Sequence, residues 1–127
     1  MRLVLDTNIL ISALFWDGNE RRLLLDCKTK KHQLIISPEI LEEMDRILNV
    51  KFDVPSEIRN KYAQNILRMS EIVFPKGEIH IVKEHPADNM IIETAILGKA
   101  EKLITGDKHL LNLGAVEGIR IDKSSRI

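Results

Sequence analysis

The sequence predicts an α/β fold in which helices cover both faces of a parallel sheet. Three observations carry this reading. Short, wholly apolar runs such as Leu3-Val4-Leu5 suit strands buried on both sides. Longer amphipathic stretches with recognisable caps alternate with those runs. Parallel neighbours need crossover connections, and a helix between successive strands supplies them. At 127 residues the chain has room for one well-filled core but not two, so residues 1–127 read as a single domain.

Leu3 to Leu5 is the first strand, and Asp6-Thr7-Asn8 offers capping side chains to a helix carrying Ile9, Leu10, Ala13 and Leu14 at helical spacing. Asp17-Gly18-Asn19 breaks that helix, and a second runs from about Glu20 to Lys31. Gln33 to Ile36 is the next strand. Ser37-Pro38 places a cap before a proline at the first helical position, starting a helix that reaches about Val50. After a loop over Lys51 to Pro55, an amphipathic helix extends from Ser56 to about Val73 and stops at Phe74-Pro75-Lys76-Gly77. Ile79 to Val82 reads as a third strand, Glu84 to Ala87 as a loop and Asp88 to Ala100 as a helix. Leu103-Ile104-Thr105 is a fourth strand ending at Gly106-Asp107. A short helix over Lys108 to Leu113 and a strand near Ile119 to Ile121 complete the chain.

Composition excludes several classes of function. Nineteen basic and 19 acidic residues cancel, so nucleic acid is not held by bulk charge and would need a local basic patch. A single cysteine, Cys27, rules out an internal disulfide or a multi-cysteine zinc site and reads as a small apolar filler in a reducing compartment. No apolar run approaches the roughly 18 residues of a membrane span, so a cytoplasmic location is expected. No glycine-rich phosphate loop follows any strand, which argues against a nucleotide-binding domain.

An acid follows each expected strand: Asp6, Glu43 on the helix after the second, Asp88 at the start of the helix after the third, and Asp107. In a parallel sheet all four lie toward one edge, the edge where such folds place function. Helical phase selects among them. Glu43 falls roughly 100° from the centre of the Ile40, Leu41, Met44, Ile47, Leu48 face, whereas Glu42 falls roughly 160° away. Asp88 is in line with Ile91, Ile92 and Ala95. Each acid alone has a structural explanation as a turn residue, helix cap or lysine partner. Together they need a neutraliser, since two carboxylates about 4 Å apart repel by roughly 4 kcal/mol at an effective dielectric near 20. Oxygen-only donors select a hard cation, Mg²⁺ or Mn²⁺, and with it metal-assisted phosphodiester hydrolysis. Asn8 and Thr105 could orient ligands or act as structural caps.

The segments "LVLDTNILISAL", "LIISPEILEEMDRIL", "ADNMIIETAILGKAEKLITGD" and "KHLL" resemble, in order and spacing, the PIN-domain family. The likeness is greatest to its small single-domain, VapC-like toxin components. The resemblance spans essentially the whole chain. It implies a three-layer α/β/α sandwich and a Mg²⁺- or Mn²⁺-dependent ribonuclease with Asp6, Glu43, Asp88 and Asp107 as metal-holding, catalytic acids and Asn8 and Thr105 as polar neighbours. It further implies an RNA substrate, a homodimer and a cognate antitoxin partner. One departure stands out: many relatives read D-P-x-D where this chain reads His85-Pro86-Ala87-Asp88. His85 is therefore kept outside the core site, as a surface residue, a phosphate contact or a proton donor. Arg21 and Arg22 with Trp16 upstream form a candidate RNA contact, against the plainer reading of a solvated helix face and a packed tryptophan.

Two other readings compete. A catalytically inactive RNA- or protein-binding module of the same fold has no need for four acids where phosphates approach. A phosphate-accepting receiver domain would carry an acidic pair after its first strand, whereas Asp6 is followed by Thr7 and Asn8.

Overall fold

The computed structural model describes residues 1–83 and 85–126. β1 (Arg2–Leu5) leads into α1 (Thr7–Phe15) and α2 (Asn19–Lys28), followed by β2 (Gln33–Ile36), α3 (Pro38–Val50), α4 (Ser56–Met69) and β3 (Ser70–Ile72). Then come α5 (Pro86–Leu97), β4 (Lys102–Ile104), α6 (Lys108–Leu111), β5 (Ala115–Val116), β6 (Ile119–Asp122) and a 3₁₀ turn at Ser124–Arg126. The sheet order is β3-β2-β1-β4-β6-β5, parallel except for the β5–β6 hairpin.

This order makes β1 the point of reversal. From β1 the chain builds outward through β2 to β3, then returns past β1 to add β4 and β6 on the other side. Right-handed crossovers therefore place α1 to α4 on one face and α5 on the other, giving the three layers. α5 packs across β1, β2 and β4. Val4 is in register with Ile35 and with Leu103, so these side chains share the face that α5 covers. Leu3, Val4, Leu5, Leu34, Ile35 and Ile36 are all at most 1% exposed, which is why these runs contain no polar residue. Cys27 joins this core, and burial pushes its thiol up to about 11, as an apolar filler requires.

At the C-terminus of α5 the helix touches the sheet through a glycine. A Cβ at Gly98 would overlap the Ile35 side chain, so the close approach needs the missing methyl. Gly98→Ala is expected to cost about 1–3 kcal/mol in urea unfolding. Combining it with Ile35→Ala should give less than the sum of the two single losses, because the second change clears the overlap. Additive losses would place the strain elsewhere.

The sequence reading departs from the structure mainly between α4 and α5. α4 stops at Met69 and not near Val73, and the third strand is Ser70–Ile72, paired in parallel with β2. Ile79 to Val82 is not a strand. Its backbone is held by side chains of α5: the Ile81 and Val82 amides donate to Asn89 Oδ1 at 2.9 and 2.8 Å, and Asn89 Nδ2 donates back to the Val82 carbonyl at 2.8 Å. One helical turn on, the Glu93 carboxylate accepts the amides of Lys76, Gly77 and Glu78. α5 thus has the sheet on one side and this connector on the other, so Asn89 and Glu93 are buried despite their polarity. Glu84, the first residue of the expected loop, lies outside the described residues.

Smaller differences follow from local chemistry. α2 starts one residue earlier and ends at Lys28, where Lys30 adopts a φ of +66°. α5 begins at Pro86, with Asp88 inside its first turn. α6 ends at Leu111, and β5 adds an antiparallel edge that the apolar pattern did not announce.

Candidate active site

β1 delivers Asp6 to the place where the sheet order reverses, the crevice at which open α/β sheets bind ligands. Its amide donates to the Ile104 carbonyl at 2.9 Å, joining it to β4. Asp6 caps α1, its Oδ1 accepting the Thr7 amide at 2.7 Å. Oδ2 accepts the Thr105 hydroxyl at 2.7 Å. Thr105 is fully buried, and its Oγ1 also accepts the Asp107 amide at 3.0 Å. One threonine therefore sets the positions of two acids at the ends of neighbouring strands.

Asp107 caps α6, accepting the His109 amide at 2.9 Å. Glu43 lies half-buried on α3, as its helical phase predicts, while Glu42 is exposed. The Thr7 hydroxyl donates to Glu43 Oε2 at 3.1 Å, linking the third acid to the residue that follows the first. Asp88 is only 7% exposed, and its Oδ2 is buried without a hydrogen-bond partner among the described residues.

The electrostatics show that these groups share one field. Burial raises Asp6 from an ordinary 3.8 to about 6; hydrogen bonds from Thr105 and Thr7 oppose the rise, while Glu43 and Asp88 add to it. Asp88 is also raised, by burial first and then by Asp107 and Glu43, with His85 and His109 countering. Asp6, Glu43 and Asp88 thus lie within electrostatic reach of one another, and Asp107 joins them through Asp88.

A family model for the PIN domain matches residues 2–109. The chain belongs to the PIN-domain family. Among solved structures it is similar to a chain in the crystal structure of VapBC2 from Rickettsia felis bound to a DNA fragment from their promoter. That likeness has a TM-score of 0.67 at 19% identity and covers 97% of this chain and 98% of the other, which establishes the shared fold. A comparison with curated proteins returns no match. PIN domains are in general nucleases that use divalent metal ions, so phosphodiester hydrolysis is the chemistry against which this site is judged.

The donor chemistry of this PIN domain fits a hard divalent cation. All four acids offer oxygen, two of them are raised by burial and further by neighbouring carboxylates, and Asp88 Oδ2 has no partner among the described residues. Among the described residues no three His, Cys, Asp or Glu side chains are already gathered into a metal cage. Mg²⁺ keeps several of its waters and binds through one or two carboxylates, so a closed cage is not required of such a site.

The remaining sequence candidates divide. Asn8 lies exposed in the first turn of α1, next to Asp6 and Thr7. Trp16 stands at the opposite end of that helix, about 14 Å along its axis, exposed and tilted against Phe15, which packs on Phe52. Arg21 is spent on structure, its guanidinium donating to the Ala13 and Leu14 carbonyls at 2.9 and 2.8 Å to close the C-terminus of α1. Arg22 is exposed. The Trp16, Arg21, Arg22 group is therefore not gathered with the acids. His85 comes closer: its ring lies 3.9 Å, centroid to centroid, from that of His109. His109 escaped the sequence reading although it stands in the "KHLL" segment, two residues after Asp107.

Proposed function

We propose that this PIN domain is a Mg²⁺- or Mn²⁺-dependent endoribonuclease, the toxin component of a toxin–antitoxin pair. The observation that carries the catalytic part is Asp88 Oδ2, buried beside other acids at the reversal point of the sheet and without a hydrogen-bond partner among the described residues. Leaving a carboxylate oxygen buried and unpaired is costly unless a cation or substrate group completes it.

In this reading Asp6, Glu43, Asp88 and Asp107 hold the cation and are the catalytic acids. A bound Mg²⁺ or Mn²⁺ supplies a water activated near neutral pH and offsets the charge of the phosphate. The protein's own part is positioning. Thr105 ties Asp6 to Asp107 at the ends of two strands, and Thr7 ties Glu43 on α3 to the start of α1, so three acids are held on rigid elements. Asn8 and Thr105 are the polar neighbours, and Asn8, exposed at the helix start, is placed to meet a phosphate oxygen.

The Rickettsia felis relative was crystallised as the VapBC2 complex with promoter DNA. By analogy, a cognate antitoxin belongs to the same proposal; a homodimeric state and a cytoplasmic location belong to it on the family resemblance of the sequence. Among the described residues no helix is long and apolar enough to cross a membrane. The alternative is an inactive RNA- or protein-binding module of the same fold.

End-labelled RNA incubated with the purified protein separates the two. The enzyme reading expects internal cleavage with Mg²⁺ or Mn²⁺, none with chelator, and a loss of at least about a hundredfold in Asp88→Asn. RNA binding without cleavage under every metal condition, unchanged in Asp88→Asn, would establish the binding module.

A further inference from the structure

Beside the acids lies an open groove of about 280 Å³ lined by Ile81, Val82, Lys83, His85, His109 and Leu113. Its walls are tied to the acids by the chain itself. His85 directly precedes α5 and stands three residues before Asp88, while the His109 amide is held by Asp107 Oδ1 at 2.9 Å. The opposite wall is fixed as well, because Asn89 holds the Ile81 and Val82 amides.

The groove's composition does not follow from the needs of the core. Ile81 is 41% exposed and Leu113 38%, so two large apolar side chains face water next to a polar site. In the same groove the His85 and His109 rings lie largely face to face, 3.9 Å between centroids at a tilt of 35°, and His109 is exposed to solvent. Lys83 adds a cation at the rim. Flat apolar surface, aromatic faces and one cation are the elements that bind an unpaired nucleotide, through stacking on its base and attraction to its phosphate. An acidic cluster repels RNA at the point of reaction, so affinity must come from neighbouring contacts of this kind.

We propose that this groove is the subsite for the nucleotide adjoining the scissile phosphate, with its base against the His85–His109 rings and its sugar-phosphate beside Lys83. The assignment rests on the ribonuclease reading and adds to it where the substrate lies. His109 is then a substrate-binding residue, and His85 gains a role that its place outside the core acids left open.

The test uses the full-length protein in chelator, so that binding is read apart from catalysis. Uridine and adenosine 5′-monophosphates are titrated against protein labelled at its four histidines, and imidazole resonances are followed by NMR. The nucleotides are expected to move His85 and His109 and leave His32 in place, whereas ribose 5-phosphate moves neither pair member. His109→Ala should weaken nucleotide binding about tenfold, and His109→Phe, which keeps a flat ring, should retain it. On RNA, His109→Ala should raise KM more than it lowers kcat. Equal responses to ribose 5-phosphate, or a His109→Phe variant as weak as His109→Ala, would overturn the subsite. Nucleotide binding at the two rings without any RNA cleavage would support the subsite while sinking the ribonuclease reading. RNA cleavage with silent imidazoles would do the reverse.

Discussion

Asp6→Asn is expected to remove RNA cleavage, by at least about a hundredfold, while making the metal-free fold more stable at neutral pH. The two effects have one origin. Asp6 is 5% exposed, and burial raises its carboxyl to about 6 even though Thr105 and Thr7 donate to it. Asparagine caps a helix about as well as aspartate, so the bond from the Thr7 amide survives. What disappears is a buried charge useful only when a cation is present.

The sign follows from linkage. The folded-state value of about 6 lies above the ordinary 3.8. As pH rises from about 4 to about 6, the unfolded chain loses this proton first, and the native state becomes relatively less stable. At about 1.4 kcal/mol per pH unit, the gap of about two units amounts to about 3 kcal/mol, lost by pH 6 and constant above it. In chelator, urea unfolding of wild type should show this fall between pH 4 and 6, and Asp6→Asn should lack it. Adding Mg²⁺ above pH 6 should restore stability to wild type only, since the ion binds the deprotonated native state. A variant less stable than wild type at pH 7.5 in chelator would mean that the lost Thr105 bond outweighs the relief of burial.

Asp6 was legible in the sequence because everything that places it is local: three core residues before it and a helix start after it. Glu43 and Asp88 were legible for a related reason, since helical phase is a local property and the burial of Ile91, Ile92 and Ala95 with Asp88 follows from it. The third strand was not legible. Ser70-Glu71-Ile72 carries one apolar residue and continues the helical phase of α4, whereas Ile79-His80-Ile81-Val82 has the composition of a strand. Contacts distant in sequence decide between them. Arg2 on β1 donates to the Glu71 carboxylate and, at 2.9 Å from Nε, to the Gly98 carbonyl, tying β3 across β2 to β1 and the end of α5. Asn89 and Glu93 meanwhile supply 79–82 and its approach with hydrogen bonds that a strand would have drawn from a neighbour. The His85–His109 contact is of the same non-local kind, joining the start of α5 to α6. No pattern within either segment announces it.

Glu93→Ala is expected to be strongly destabilising for a polar substitution away from the site, costing about 2–4 kcal/mol and loosening the connector more than the sheet. Glu93 is 4% exposed, and burial alone would raise its carboxyl. The amides of Lys76, Glu78, Ile79 and Gly77 outweigh burial and hold it below the usual range. A carboxylate whose folded-state value is depressed contributes stability above its unfolded value, and loses that contribution as pH falls through the folded one. Wild type should therefore weaken on acidification in a range where Glu93→Gln, which carries no titrating group there, does not. Glu93→Gln keeps one acceptor oxygen and should cost about half as much as alanine. Hydrogen exchange gives the local readout: amides at 76–79 should lose protection in Glu93→Ala, those of β1 and β2 should follow only the global loss, and Ile81 and Val82, held separately by Asn89, should be affected less. Uniform loss across sheet and connector would show that the connector unfolds only with the whole domain, and that Glu93 supports the core rather than the 76–79 segment alone.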